Sequence, residues 1–257
     1  MKIIISPAKK MNVDTDVFGH TDLPVFLSRT KELMDYMKGL SYEEAKMLWS
    51  CNDKIAAQNF ERYAQMDLER GLTPAILSYE GIQYQYMSPM VFSETALDYV
   101  QKNLRILSGF YGIVKPFDGV TPYRLEMQAK AAVSGHKNLY DFWGDSLYQK
   151  VIGDSRIVIN LASKEYSKCI EKYLQPGAKI LDLGCGSGRD SKYFLSKGYD
   201  VTSVDGSEEI CKYASEYLQR PVQCVRFEEM NFSQEFDGVW ACASLLHVEK
   251  DILLDVL

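Results

Sequence analysis

Ile180-Leu181-Asp182-Leu183-Gly184-Cys185-Gly186-Ser187-Gly188 is the stretch on which the reading of the chain's last third turns. The apolar residues before Gly184 read as a buried strand, and the stretch from Arg189 to 197 reads as a helix. Between them, three glycines at alternate positions bend the backbone where no Cβ keeps a ligand away from the main-chain N–H groups. In a nicotinamide-type fingerprint the third glycine would fall at 189, which is Arg189 here. The spacing is instead GxGxG, with the carboxylate of Asp182 two residues ahead of the first glycine. Seventeen residues after Gly188, Asp205 ends the next strand, where a carboxylate can accept hydrogen bonds from both hydroxyls of a ribose. Two other readings stand beside this one: a structural turn with no ligand, and a dinucleotide site, against which Arg189 weighs.

Working outward, a strand–helix rhythm continues to the end of the chain. Strands are expected at 179–183, 200–204, 222–227 and 238–243, with helices at 189–197, 208–218 and from 249 onward. Such alternation implies a parallel, doubly wound sheet with right-handed crossovers. The stretch resembles the class I S-adenosylmethionine-dependent methyltransferase family. The match runs through Asp182, Gly184, Gly186, Gly188 and Asp205, then Phe227-Glu228-Glu229. It ends in Phe236-Asp237-Gly238-Val239-Trp240-Ala241-Cys242-Ala243-Ser244-Leu245-Leu246-His247. The resemblance implies S-adenosylmethionine as cofactor. Gly184 and Gly186 would then pass the methionine portion, with Asp182 supporting the loop and the amino group. Asp205 would hold the ribose, and Glu228 or Glu229 would lie near the adenine amino group. Cys185, Gly188, Gly206 and Ser244 complete the expected cofactor-binding set.

The implied reaction is methyl transfer from a sulfonium, in which the protein mainly holds donor and acceptor in line in a dry cleft. The methyl acceptor is unknown and no base is identifiable. His247, just past the fourth strand, reads either as packing or as an active-site group. The family's sheet has seven strands, whereas residues 179–257 hold four. The reading is therefore of a Rossmann-like half-domain apparently truncated after its fourth strand, which would be an unprotected edge. Either the sequence ends early or something else covers that edge.

Before Gln175-Pro176-Gly177 the pattern is less regular. Residues 2–6 read as a short buried strand ended by Pro7. Leu23, Phe26, Thr30, Leu33, Met37 and Leu40 mark one helical face closing near Gly39. Ser41-Tyr42-Glu43-Glu44 fits a capping box, and Asn52 and Ser93 read as further helix caps. A single Tyr/Trp-rich helix is expected over 139–151 and an apolar strand over 156–161. Ser163 then caps a helix through about Tyr173.

This part resembles the peroxide stress protein YaaA family, on several separated blocks. They are residues 1–10, Leu104-Arg105-Ile106-Leu107-Ser108-Gly109-Phe110-Tyr111-Gly112, Pro116-Phe117-Asp118 and Pro122-Tyr123-Arg124-Leu125-Glu126-Met127. Phe142-Trp143-Gly144-Asp145 and Asn160-Leu161-Ala162-Ser163-Lys164-Glu165-Tyr166 complete the set. The resemblance implies a cytoplasmic α+β domain, a role in peroxide tolerance and in limiting free iron, and DNA binding. No settled catalytic activity comes with it. The family's usual final segment is absent, and the methyltransferase-like stretch takes its place. The expected organisation is a YaaA-like α+β domain over 1–172, a linker over 173–178 and a partial methyltransferase domain over 179–257. The alternative function is a DNA-binding oxidative-stress protein whose methyltransferase segment is truncated and inactive.

Ser6, Lys9, Tyr123, Arg124 and Glu126 are the candidate site of the first domain. Arg124 and Glu126, two apart on an extended segment, share a face and read either as a structural ion pair or as a ligand-contacting cluster. Lys164, Lys168 and Lys172, at spacing four, form a row that would meet DNA phosphates or simply line a solvated helix face. Gly109 and Gly112 read as an ordinary turn or as a phosphate-binding hairpin. The aromatics Tyr140, Phe142, Trp143 and Tyr148 read as core or as a base-stacking platform.

Charge sharpens these alternatives. Of the 29 Lys+Arg and 35 Asp+Glu in the 257 residues, 21 of each lie in 1–172, so the whole net charge of −6 belongs to the remainder. An acidic segment repels polyanions, so any nucleic acid must meet a local basic patch of the first part. No apolar run approaches the ~20 residues of a membrane span. The apolar opening is too short for a signal peptide, so a cytoplasmic location is expected. Six scattered cysteines without a CxxC pair read as free thiols, and three isolated histidines give no metal-ligand spacing.

Overall fold

The computed structural model describes residues 1–13, 18–154, 158–171, 175–233, 236–241, 244 and 248. The chain divides into a larger unit, Ile3–Val151 with Ala162–Ile170, and a smaller one, Met1–Lys2, Ile152–Leu161 and Glu171–Leu257. No described helix is long and apolar enough to cross a membrane.

In the larger unit, β1 (Lys2–Ile5) is followed by helices α1 (Leu27–Gly39), α2 (Tyr42–Trp49), α3 (Asp53–Ala64) and α4 (Glu94–Asn103). The short polar residues at their starts act as the sequence suggests. Ser41 and Glu44 form both halves of a capping box, and Asn52 and Ser93 each accept an N–H three residues on. Leu23 falls outside α1 and is exposed, and Phe26 stands at the N-cap without a side-chain bond.

Strand β2 (Leu104–Ser108), buried along its length, pairs parallel with β1 and antiparallel with β3 (Gly112–Val114). The three-residue connection is tight for packing reasons. A Cβ on Gly109 would lie 2.4 Å from the Leu125 carbonyl oxygen, and one on Gly112 would strike Trp143. The N–H groups of Phe110 and Tyr111 both donate to Ser108 Oγ, so this hairpin turns them inward instead of offering them to a phosphate.

The aromatic helix expected over 139–151 is two helices, α5 (Leu139–Trp143) and α6 (Ser146–Asp154). They part at Gly144, whose φ of 54° and ψ of −127° no L-residue adopts comfortably. The break turns Phe142 and Trp143 into the core, beneath the Arg29 guanidinium, which lies 4.3 Å and 5.0 Å from their ring centres. Helix α7 (Lys164–Glu171) completes this unit except for its last residue, with Tyr166 and Ser167 donating to the Ser163 carbonyl.

The smaller unit is a parallel ladder built from β4 (Val158–Asn160), β5 (Lys179–Leu183), β6 (Asp200–Asp205), β7 (Gln223–Cys224) and β8 (Gly238–Trp240). Helices α8 (Arg189–Ser196) and α9 (Glu208–Leu218) make the crossovers. Its order is β7-β6-β5-β8-β4. The strands after residue 178 thus run third, second, first, fourth, one half of a doubly wound sheet.

One expectation is corrected here, and one of two open alternatives is met. The third strand is only two residues long, because the chain leaves the ladder for a 3₁₀ turn at Phe227–Glu229. The fourth is not an open edge, since Val239 and Trp240 pair with Ile159 and Asn160 of β4. Leu181, Leu183, Val204 and Ala241 form the core, with Phe227, Phe232 and Phe236 packed against it. Arg156, Ile157, Lys172, Tyr173, Cys242, Ala243, Leu245, Leu246, His247 and the helix expected over 249–257 lie outside the described residues.

Candidate functional sites

The glycine bend sits after β5, the strand from which the ladder proceeds to β6 on one side and β8 on the other. This is the switch point at which open parallel sheets bind ligands. All three glycines have positive φ: 74° at Gly184, 54° at Gly186 and 81° at Gly188. Their surroundings differ. A Cβ on Gly184 would lie 2.3 Å from Ser244 Cβ, and one on Gly188 would be 3.0 Å from Leu218. These two glycines admit neighbouring protein. Around Gly186, chain neighbours aside, no heavy atom of the described residues comes within 4 Å of the Cβ position, so among them the apex of the bend is the face left clear.

Asp205 points toward that apex. Its Oδ2 accepts the Gly186 N–H at 3.0 Å and its Oδ1 accepts the Ser207 N–H at 3.0 Å. Each oxygen keeps a second lone pair. Asp182 behaves differently: 2% exposed, it accepts the Ser191 hydroxyl at 2.5 Å, and Ser191 also bonds Ser203 at 2.7 Å. Burial, only partly offset by that bond, pushes its carboxyl up to about 6. Asp182 therefore ties β5 to α8 under the bend. Ser191 and Ser203 were not foreseen; an Asp facing into a core announces the need for such partners.

Cys185 is buried, and desolvation pushes its thiol up to about 12, so it is a packed neutral group. A Cβ on Gly206 would meet Arg226 only at ordinary van der Waals distance, 3.8 Å. Glu228 is exposed on the 3₁₀ turn that follows β7. Ser244 is 6% exposed, and its Oγ is buried without a hydrogen-bond partner among the described residues.

In the larger unit, all five candidate residues line one cavity of about 230 Å³, joined there by Ser163, Glu165 and Tyr166. The Arg124–Glu126 pairing expected on an extended segment is present at 3.1 Å, and Lys9 meets the other Glu126 oxygen at 3.0 Å. Ser6 Oγ accepts the Ser163 N–H at 2.8 Å and donates to Ser163 Oγ at 3.1 Å. Tyr123 turns its hydroxyl into the core, bonding Tyr79 at 2.9 Å and Ser108 at 2.6 Å. Burial raises its phenol to about 12 and keeps it neutral. The lysine row is not a free set, since Lys168 sits over the Tyr140 ring and Lys172 lies outside the described residues.

Comparison with known proteins follows the same division. Residues 1–184 match the family model described as peroxide stress protein YaaA, and residues 181–254 match one described as a methyltransferase domain. A protein of Agathobacter rectalis is 51% identical over 90% of this chain and 92% of its own length. One of Lachnoclostridium phytofermentans is 48% identical over 91% of each chain. One of Lactiplantibacillus plantarum is 55% identical over 75% of this chain and 77% of its own. All three carry only the name UPF0246 protein. The chain belongs to the peroxide stress protein YaaA family.

Proposed function

We propose that this YaaA-family protein carries, after β5, a site for S-adenosylmethionine from which a methyl group passes to an acceptor still to be identified. The observation that carries the reading is the conjunction at the switch point: a clear glycine apex at Gly186, with the Asp205 carboxylate fixed against it from the next strand. The match of residues 181–254 to a methyltransferase domain supports it. The Ser244 hydroxyl beside Gly184, buried and without a partner among the described residues, supports the reading on a second count, as a polar group that such a ligand could satisfy.

When bound, the cofactor supplies an already activated methyl group. The chain's own residues then have positioning tasks. Asp205, held by two main-chain N–H groups, presents its remaining lone pairs to the ribose hydroxyls without having to reorganise. Gly186 admits the ligand to the backbone. Asp182 keeps β5 and α8 in register beneath the bend through Ser191. Glu228 stands exposed for the adenine amino group, and Cys185 and Gly206 shape the loop.

Calorimetric titration of the full chain with S-adenosylmethionine tests the reading. The expected result is saturable heat in the wild type and at least a tenfold loss of affinity in Asp205→Ala, the scale of two lost charge-assisted hydrogen bonds. No heat at millimolar cofactor, or equal affinity in the variant, would overturn it.

A further inference from the structure

A second site lies in the larger unit, far from the glycine bend in sequence and independent of the reading above. Three segments bring its residues together: 6–9 after β1, the extended 123–126, and 163–166 at the head of α7. Hydrogen-bond accounting shows what the cavity lacks. Both Glu126 oxygens are taken, one by Arg124 and one by Lys9. Glu165 Oε1 accepts the Gln128 N–H at 3.1 Å. Ser6 Oγ both accepts from and donates to Ser163, which leaves the Ser163 hydroxyl proton to point elsewhere.

On the donor side there is a surplus. Arg124, its side chain 12% exposed, has a buried Nε–H with no partner among the described residues. Lys9 spends one of three N–H groups on Glu126 and keeps 64% of its side chain exposed. A buried guanidinium N–H without an acceptor is costly to leave unpaired, so a fold that retains one has a use for it.

We propose that this cavity binds a small molecule with an oxyanion head, a carboxylate or a phosphate, held between Arg124 and Lys9 with the Ser163 hydroxyl as a third donor. Glu126 is the positioning residue: it holds the two cations side by side while neutralising only one of them. Burial, reinforced by Glu126, raises the Glu165 carboxyl, and this reduces its repulsion of an incoming anion. Pro7, Ala8 and Leu125 give the remaining wall an apolar character, so the body behind the head is apolar. The volume sets the size of the ligand. About 230 Å³ lies below the ~300–1,000 Å³ of pockets that take drug-sized molecules. A compact metabolite fits, and a polymer backbone does not.

Benzoate and phenyl phosphate are suitable probes, because they share an apolar ring and differ only in the head. The readout is the ¹⁵N-detected Nε–H resonance of Arg124 in the full chain, assigned by its disappearance in Arg124→Lys. A saturable shift with a dissociation constant of about 10 mM or tighter is expected for at least one probe, and the probe that wins tells carboxylate from phosphate. Lys9→Gln, an exposed change that leaves the Arg124–Glu126 pair intact, is expected to weaken that binding several-fold and more so at low salt. No saturable shift with either probe up to about 50 mM would overturn the proposal, as would equal affinity in Lys9→Gln and wild type.

Discussion

At the scale of single residues, Asp182 carries a measurable consequence. Its carboxyl is lifted from 3.8 to about 6 because burial costs more than the Ser191 bond returns. The folded state therefore holds this proton more tightly than the unfolded chain does. Stability drawn from the group is complete below about pH 4 and is lost as pH rises through 6. At 2% exposure solvent screening is small, and a lift of about two units corresponds to about 3 kcal/mol. Asp182→Asn keeps an oxygen for the Ser191 hydroxyl and cannot ionise. In urea unfolding, the variant should match the wild type near pH 3 and exceed it by about 2–3 kcal/mol at pH 7.5. A difference that stays constant across that range would mean that Asp182 is not the strained acid inferred from its burial. The same residue shows the limit of reading roles from sequence. Its place ahead of the glycines suggests support of the loop and of a ligand's amino group; the side chain lies under the loop, and the partner that holds it there, Ser191 on the facing helix, is not marked by any spacing.

At the scale of elements, the glycine bend separates what packs from what is left clear. Gly184→Ala must drive a Cβ into Ser244 at 2.3 Å from a backbone held at φ 74°, whereas Gly186→Ala meets strain at φ 54° but, chain neighbours aside, no atom of the described residues within 4 Å. The first should cost about 3 kcal/mol or more and the second about 1 kcal/mol. In the second, affinity for S-adenosylmethionine should fall far more than stability does, as thermal melts and calorimetry on the same samples would reveal. Equal stability losses in the two variants would refute the distinction. Much of this element was legible in advance, because a strand, three glycines and an Asp at the next strand tip are all short-range patterns. The capping box at Ser41 and the caps at Asn52 and Ser93 were legible for the same reason. The break at Gly144 was not. Apolar spacing runs on through 139–151, and only the packing of Phe142 and Trp143 against Arg29 makes the turn worthwhile. Nor could the convergence of Ser163, Glu165 and Tyr166 on the cavity of Arg124 be read off, since contacts across more than 35 residues leave no periodic trace.

At the scale of the whole molecule, the linear order of the sequence misleads. Read along the chain, the methyltransferase-like part begins near residue 179, and its fourth strand is bare unless something outside that part covers it. In the folded chain, a strand from before that point, β4, enters the smaller unit and pairs with β8. An edge that would otherwise display free N–H and C=O groups is thereby covered, and the ladder extends beyond what residues 179–257 supply alone. This arrangement makes a local substitution diagnostic. Ile159 is 3% exposed and stands opposite Val239. Proline there removes an N–H and fixes φ in a strand with a paired neighbour, which such strands do not tolerate. In full-length Ile159→Pro, amide hydrogen exchange should accelerate by at least tenfold at residues 238–240 and then at 180–183, the next strand of the ladder. Ile159→Val, which keeps the N–H and loses one methylene, should cost only about 1 kcal/mol and leave that protection pattern in place. Should Val239 and Trp240 keep wild-type protection in the proline variant, β4 would not be what secures the fourth strand, and the covering of that edge would need another source.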